Sequence, residues 1–114
     1  MKDKDKKEFI NNLAFRYALN LLKTGADPIN FKILNLLPTN TKQLQEELNL
    51  TKMPINKRLN ELEEVGLLKR QRYKGKLDKT SLTSKFFNAY NKIHTMIINN
   101  SELQFVPKFN LTLK

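Results

Sequence analysis

The side chains that usually carry enzymatic or metal chemistry are sparse in this chain of 114 residues. Cysteine is absent, His94 is the one histidine, and the 11 Asp and Glu residues form no cluster suited to zinc or iron. The sequence pairs no nucleophile with a base, and its three glycines form no phosphate-binding loop. We therefore expect a protein that is not an enzyme, with no catalytic residues, no metal and no cofactor.

Basic residues are the chemically distinctive feature of the sequence. Lys and Arg number 21, which gives a net charge of +10. The excess is concentrated, because residues 67–85 carry seven basic residues and one acidic residue. Such a charge favours association with polyanions. The alternative interpretation is a Lys-rich surface that is merely solvated.

The composition also bears on location. No segment approaches the roughly 20 uncharged apolar residues that a membrane span needs, and the charged N-terminus is not followed by an apolar segment of the signal-peptide type. Lack of cysteine excludes disulfides. These features predict a single domain over residues 1–114 that is cytoplasmic and has no membrane partner.

Two helices are predicted at the N-terminus. The first covers residues 6–23, has Asp5 and Glu8 in a capping-box arrangement, and ends at Gly25. The second begins at Asp27 and Pro28, a favourable N-cap followed by proline at the first helical position, and stops before Pro38. Apolar residues at spacings of three and four give the first helix one apolar face: Phe9, Ile10, Leu13, Ala14, Tyr17, Leu21 and Leu22.

Two further helices are joined by a tight turn at residues 48–51. Asn40 can cap the first of them, and Pro54 lies in the opening turn of the second, where no amide donor is lost. Gly66 is expected to end that second helix. The apolar positions that should face inward are Leu44 and Leu48 in the first, and Ile55, Leu59 and Leu62 in the second. This arrangement is typical of a helix-turn-helix.

A basic hairpin is predicted next. Residues 67–73 are expected to form a strand, residues 74–76 a turn and residues 78–82 the return strand. Because a two-stranded ribbon is barely stable alone, its base should pack on the helices through Leu67 or Leu68 and through Leu82.

The last predicted helix is capped by Thr83 and covers residues 84–99. Its apolar residues follow a spacing of four, three and four, which resembles a heptad seam: Phe86, Tyr90, Ile93 and Ile97. The tail, residues 100–114, is expected to form a strand or an arm.

The order of these elements resembles a winged helix-turn-helix over about residues 28–97. The segments that carry the resemblance are TKQLQEELNL (41–50), residues 55–68, including LNELEEVGLL (59–68), and SLT (81–83). The chain is similar to prokaryotic regulators of the ArsR and MarR type. The resemblance implies a mainly α fold with a small β-hairpin wing and flanking terminal helices, and a dimeric transcriptional repressor. Metal sensing is not implied, because the Cys and His clusters of the metal-sensing members are missing.

A helix-turn-helix reads DNA with the N-terminal residues of its second helix. Asn56 can pair with adenine and Lys57 with guanine; alternatively both side chains simply solvate an exposed helix. Asn60 is expected to contact phosphate or solvent rather than bases. The complete set expected to contact DNA on this helix is Thr51, Lys52, Met53, Pro54, Asn56, Lys57 and Asn60.

The hairpin is expected to bind phosphates and the minor groove. The residues concerned are Arg70, Arg72, Tyr73, Lys74 and Lys76. The alternative is that this basic edge only discourages strand pairing.

Surplus apolar surface on the first and last helices predicts a homodimer. The interface is expected to include Phe9, Leu13, Tyr17, Phe86, Tyr90, Ile93 and Ile97. A two-fold dimer would place the two second helices about one DNA turn apart, to match a palindromic double-stranded site in nucleoid DNA. The sequence identifies no small-molecule effector. Two other functions remain open: a winged-helix protein-interaction or architectural module, and a replication or copy-control protein of a plasmid or virus.

Overall fold

The computed structural model describes residues 2–71 and 75–100 of the chain. These residues are mainly helical, with a small three-stranded antiparallel sheet. Contacts divide the chain into two compact units, residues 1–84 and residues 85–114. The elements are α1 (Asp3–Ala26), α2 (Pro28–Leu36), β1 (Thr39–Asn40), α3 (Thr41–Leu48), α4 (Lys52–Glu64), β2 (Lys69–Gln71), β3 (Lys76–Asp78) and α5 (Ser81–Asn99).

Helix α1 is longer than predicted at both ends. It begins at Asp3, and its N-cap residue Lys2 makes no side-chain cap hydrogen bond. The predicted capping box at Asp5 and Glu8 is therefore wrong, because both residues lie inside the helix. The C-terminal end is Ala26 rather than residue 23, and the buried Gly25 does not interrupt the helix.

The start of α2 is confirmed. Asp27 Oδ1 accepts hydrogen bonds from the amides of Ile29 (3.0 Å) and Asn30 (3.1 Å), and Pro28 is the first helical residue. This cap satisfies two of the amide donors that a helix leaves unpaired at its N-terminus. It also fixes the junction between α1 and α2, since Asp27 directly follows Ala26.

Helices α3 and α4 follow the predicted pattern closely. Asn40 Oδ1 accepts a hydrogen bond from the Gln43 amide at 2.8 Å, which confirms the cap of α3. Gly66 has a φ of +81° and ends α4. The Gly66 amide donates to Glu63 O (3.0 Å) and the Leu67 amide to Leu62 O (2.9 Å), the two bonds of a Schellman motif.

The sheet differs from the predicted hairpin. Its order is β1–β3–β2. A strand that was not predicted, β1, therefore pairs with the edge of β3 opposite to β2, with Thr39 facing Leu77. The return strand is Lys76–Asp78, so the prediction of a strand over residues 78–82 is wrong. Helix α5 begins at Ser81, ahead of the predicted Thr83 cap.

Threonine hydrogen bonds explain this early helix start. The Thr80 amide donates to Thr83 Oγ1 at 2.9 Å, and the Thr83 amide donates to Thr80 Oγ1 at 3.4 Å. This reciprocal pattern is that of a capping box with a second threonine in place of Glu or Gln. Thr83 is fully buried, and its hydroxyl donates to Leu67 O at 2.6 Å. The end of the hairpin is thereby tied to the turn after α4.

The apolar core of residues 1–84 lies among α2, α3, α4 and the sheet. The three predicted positions of α4, Ile55, Leu59 and Leu62, are buried, and so are both leucines at the base of the hairpin. Leu77, in the middle of β3, is buried as well. The buried apolar side chains of this unit are Ile33, Leu34, Leu37, Leu44, Ile55, Leu59, Leu62, Val65, Leu67, Leu68 and Leu77.

Candidate nucleic-acid interface

Helix α4 has one buried and one exposed face. Burial of Ile55 and Leu59 turns the predicted contact residues outward, and Met53 has 83% of its surface accessible. Asn56 is half-buried. The exposed members of the predicted set on this helix are Thr51, Lys52, Met53, Pro54, Lys57 and Asn60.

The first turn of α4 is an exposed helix N-terminus without a side-chain cap. Thr51 makes no side-chain cap hydrogen bond. Pro54 has no amide hydrogen, and the Ile55 amide donates to Thr51 O at 3.4 Å. The amides of Lys52 and Met53 belong to the positions that have no intrahelical acceptor. Together with the helix dipole and Lys52, they make this end of α4 favourable for an anion such as a phosphate group.

Arg70 joins the hairpin to α4. Its Nη2 donates to Asn60 Oδ1 at 2.8 Å and to the carbonyl of Asn56 at 3.4 Å. Its Nε lies 3.7 Å from Glu63 Oε1. The Arg70 side chain of β2 therefore reaches the side of α4 that carries Asn60 and Glu63. The structure brings two predicted DNA-contacting residues, Arg70 and Asn60, into contact with each other.

The other described hairpin residues are more open. Lys69 is exposed, and the Lys76 side chain, half of it accessible, has its Nζ 3.7 Å from Asp78 Oδ1. Gln71 Nε2 donates to Asp78 Oδ2 at 2.6 Å. The cross-strand hydrogen bond from Gln71 and the contact with Lys76 in the same strand orient Asp78, the one acidic residue of this segment. The predicted contacts at Arg72, Tyr73 and Lys74 lie outside the described residues.

Arg58 has a role that the sequence did not indicate. Its Nη1 donates to Asp27 Oδ1, the same oxygen that caps α2, and lies 3.5 Å from Asn30 Oδ1. Asn30 is buried and its Nδ2 donates to Thr24 O at 2.9 Å. Arg58 therefore ties α4 to the α1–α2 junction. The sequence identified Asp27 as an acidic N-cap, but it did not indicate which basic side chain Asp27 would bind.

Helix α1 exposes most of its apolar side chains. Residues 2–20 are all exposed, including the predicted interface residues Phe9 and Leu13. Tyr17 is half-exposed, but its hydroxyl donates to Val65 O at 2.7 Å, so it also attaches α1 to the C-terminal end of α4. Two further exposed residues were not predicted, because they lie away from the main apolar face: Phe15 and Leu19.

Helix α5 also carries exposed apolar residues along its length. Of its predicted interface residues, Phe86 is buried, and Tyr90, Ile93 and Ile97 are exposed. The Phe86 and Phe87 rings meet edge to face, with centroids 5.6 Å apart. His94 is exposed and stacks on Tyr90 at 5.7 Å.

No protein-family model matches the sequence, and no curated protein matches it. Among residues 2–71 and 75–100, no three His, Asp or Glu side chains are grouped so that they could hold a metal ion. None of the helices described here is long and apolar enough to cross a membrane.

Proposed function

We propose that this protein is a winged helix-turn-helix regulator that binds double-stranded DNA in a sequence-specific manner. In this proposal, α3 and α4 are the helix-turn-helix, α4 is the recognition helix, and the β2–β3 hairpin is the wing. The observation that carries the proposal is the Arg70 contact with α4. It supports a single surface on which an exposed helix N-terminus adjoins a strongly basic hairpin.

Base recognition is assigned to the exposed face of α4. Lys57 can donate to guanine and Asn56 to adenine in the major groove, and each good pair is worth about 1–3 kcal/mol of discrimination. Met53 is exposed enough to contact a thymine methyl group. Because Ile55 and Leu59 hold the opposite face in the core, these side chains have a fixed register along the groove.

Phosphate binding is assigned to the wing and to the start of α4. Lys69 and Lys76 supply exposed ammonium groups, and we retain Arg72, Lys74 and the aromatic Tyr73 as predicted contacts. Phosphate contacts release counterions, so the affinity should fall steeply as the salt concentration rises. They set the register of the protein on the duplex without selecting its sequence.

A homodimer completes the proposal. Apolar side chains on α1 and α5 are about half exposed, including Phe9, Leu13, Ile93 and Ile97. A helix that exposes apolar residues on several sides needs a partner to cover them. A second copy related by a two-fold axis would cover them and place two recognition helices on an inverted repeat. A dimer bound at a promoter would act as a repressor by excluding polymerase.

Selection from random double-stranded DNA at several salt concentrations tests this function. The proposal predicts enrichment of an inverted repeat, with affinity that decreases linearly on logarithmic axes as salt increases. Steep salt dependence without an enriched sequence would indicate an architectural DNA-binding protein. No retained DNA at low salt would contradict DNA binding and favour a protein-interaction module.

A further inference from the structure

We infer that Arg70 is a positioning residue, which fixes the wing against the recognition helix instead of contacting DNA. This inference rests on the proposed function, since it concerns how the two DNA-binding elements are held together. It reassigns a side chain that the sequence placed among the phosphate ligands. It also assigns Asn60 a role as the acceptor of that side chain.

The contacts of Arg70 extend over two turns of α4. Asn56, Asn60 and Glu63 are spaced four and three residues apart, so they share one side of the helix. One guanidinium contacts all three, through the carbonyl of Asn56, the Oδ1 of Asn60 and the carboxylate of Glu63. A planar, forked cation suits several acceptors in fixed positions, and lysine has no equivalent geometry.

Burial separates Arg70 from the other cations of the hairpin. About a quarter of its side chain is accessible, and its Nε is buried with no hydrogen-bond partner among the described residues, 3.7 Å from the Glu63 carboxylate. Lys69, the preceding residue, is exposed. Successive residues of a strand face opposite sides. The two basic side chains of β2 therefore point in opposite directions: Arg70 faces α4, and Lys69 faces away from it.

A phosphate that bound the Nη2 or Nε group of Arg70 would displace these partners. The Asn60 amide would lose its donor, and the carboxylate of Glu63 would remain unneutralised beside the DNA backbone. A carboxylate in that position repels phosphate. Retention of the intramolecular contacts avoids both costs. Arg70 therefore contributes to binding by neutralising Glu63 and by holding the hairpin in place.

This contact matters because a short hairpin has little stability of its own. Leu77 anchors β3 in the core, whereas β2 is an edge strand paired on one side with β3. Arg70 is the link from that edge to α4. Without it, the wing and the recognition helix would engage DNA as separate units, and the fit to one particular site would suffer more than the general attraction to DNA.

Arg70→Ala and Lys69→Ala form the matched pair of variants that tests this inference. Each removes one positive charge from adjacent positions of the same strand. Affinity would be measured against salt for the selected inverted repeat and for an unrelated duplex. Lys69→Ala should weaken both DNAs alike and reduce the salt slope by about one phosphate contact. Arg70→Ala should reduce the preference for the selected site by about tenfold, with the salt slope unchanged.

Asn60→Ala provides a second variant without a change of charge. If Asn60 acts through Arg70, the double variant Arg70→Ala/Asn60→Ala should lose no more preference than the more affected single variant, since the two changes remove one interaction. Additive losses would contradict the inference. So would an Arg70→Ala variant that weakens both DNAs equally and lowers the salt slope.

Amide hydrogen exchange without DNA separates this inference from the proposed function. Arg70→Ala and Asn60→Ala should both speed exchange at the amides of β2 that pair with β3, by about tenfold, while Lys69→Ala leaves them unchanged. That result would stand even if selection enriched no sequence, in which case the proposed function alone would fail. Equal exchange in all three variants would overturn the positioning role. Circular dichroism would verify that each variant is folded.

Discussion

Helices α4 and α1 differ in how their apolar residues are covered. In α4, Ile55, Leu59 and Leu62 are buried, and the exposed side is polar except for Met53 and Pro54. In α1, residues 2–20 are all exposed, although Phe9 and Leu13 lie among them. The described part of the chain thus buries the apolar residues of α4 and leaves those of α1 at residues 2–20 exposed.

The exposed faces of the two helices differ in polarity, and this difference suggests different binding partners. The polar exposed face of α4 is compatible with solvent, so its exposed side chains are available for a ligand. The apolar exposed faces of α1 are not compatible with solvent, since a helix that is apolar on several sides is normally covered. The exposed face of α4 therefore indicates a binding surface for a polar ligand, and the exposed apolar faces of α1 indicate a protein–protein interface.

The largest expected effect is the loss of a core side chain of α4. Leu59→Ala should reduce the free energy of unfolding by about 2–5 kcal/mol, because it leaves a cavity in a fully buried position. Leu13→Ala should have an effect that depends on protein concentration, because in the proposed dimer its partner surface lies on a second copy. Urea unfolding at two protein concentrations would measure both. If both variants lost the same unfolding free energy at both protein concentrations, α1 and α4 would not differ in how their apolar residues are covered.

The next effect concerns the exposed apolar face of α1. Leu13→Glu should convert the dimer to a monomer at micromolar concentration and weaken binding to an inverted repeat by about a hundredfold, as two linked sites become one. Asn11→Glu is the matched control, because it adds the same charge about 200° around the helix. Sedimentation velocity would measure the mass. A monomeric parent protein, or equal effects of the two variants, would contradict the proposed interface.

The fold near α4 was predictable because its determinants are local. Apolar residues at positions 55, 59 and 62, followed by glycine at 66, define one face and one end of a helix. Strand β1 was missed because it has two residues and forms only by pairing with β3, 36 residues later, in the Thr39–Asn40 to Lys76–Leu77 register. Thr83 was misplaced because its burial depends on the carbonyl of Leu67, which local sequence does not reveal.

The candidate site was predictable to a similar extent. Helical spacing correctly placed Met53 and Lys57 on the exposed side of α4. It could not indicate that Arg70 pairs with Asn60, because that contact depends on the angle between a strand and a helix. Likewise, the apolar periodicity of α1 predicted an apolar face but not how much of it the chain itself covers.

A smaller effect is expected on the exposed face of α4. Lys57→Ala should reduce discrimination at one base pair by about 1–3 kcal/mol and leave the unfolding free energy nearly unchanged. Lys32→Ala, which removes an exposed charge from α2, is the control and should leave base preference intact. Repeating the random-sequence selection with each variant would measure preference at every position. An unchanged selected site would argue against base contact by Lys57.

The smallest effect concerns the contact between the two helices. Gly66→Ala should destabilise the protein by about 1–2 kcal/mol, since its φ of +81° is strained for alanine. The added Cβ would also lie 3.1 Å from the Tyr17 hydroxyl and 3.2 Å from Leu82 Cδ1. Gly75→Ala is the control, because its φ is also positive but its Cβ would meet no atom of the described residues within 4 Å. Thermal unfolding should therefore show a larger loss for Gly66→Ala, and equal losses would show that Tyr17 and Leu82 adjust freely.

In the proposed function, the exposed start of α4 and the adjacent hairpin together form the DNA-binding surface. Addition of an enriched duplex to the isotopically labelled protein, followed by amide NMR shifts, tests this surface most directly. We expect the largest shifts at Lys52, Met53 and Lys57 and at the hairpin amides of Lys69 and Lys76, with small shifts along residues 3–20 of α1. Shifts concentrated on α1 or α5, with α4 and the hairpin unaffected, would contradict this DNA-binding surface.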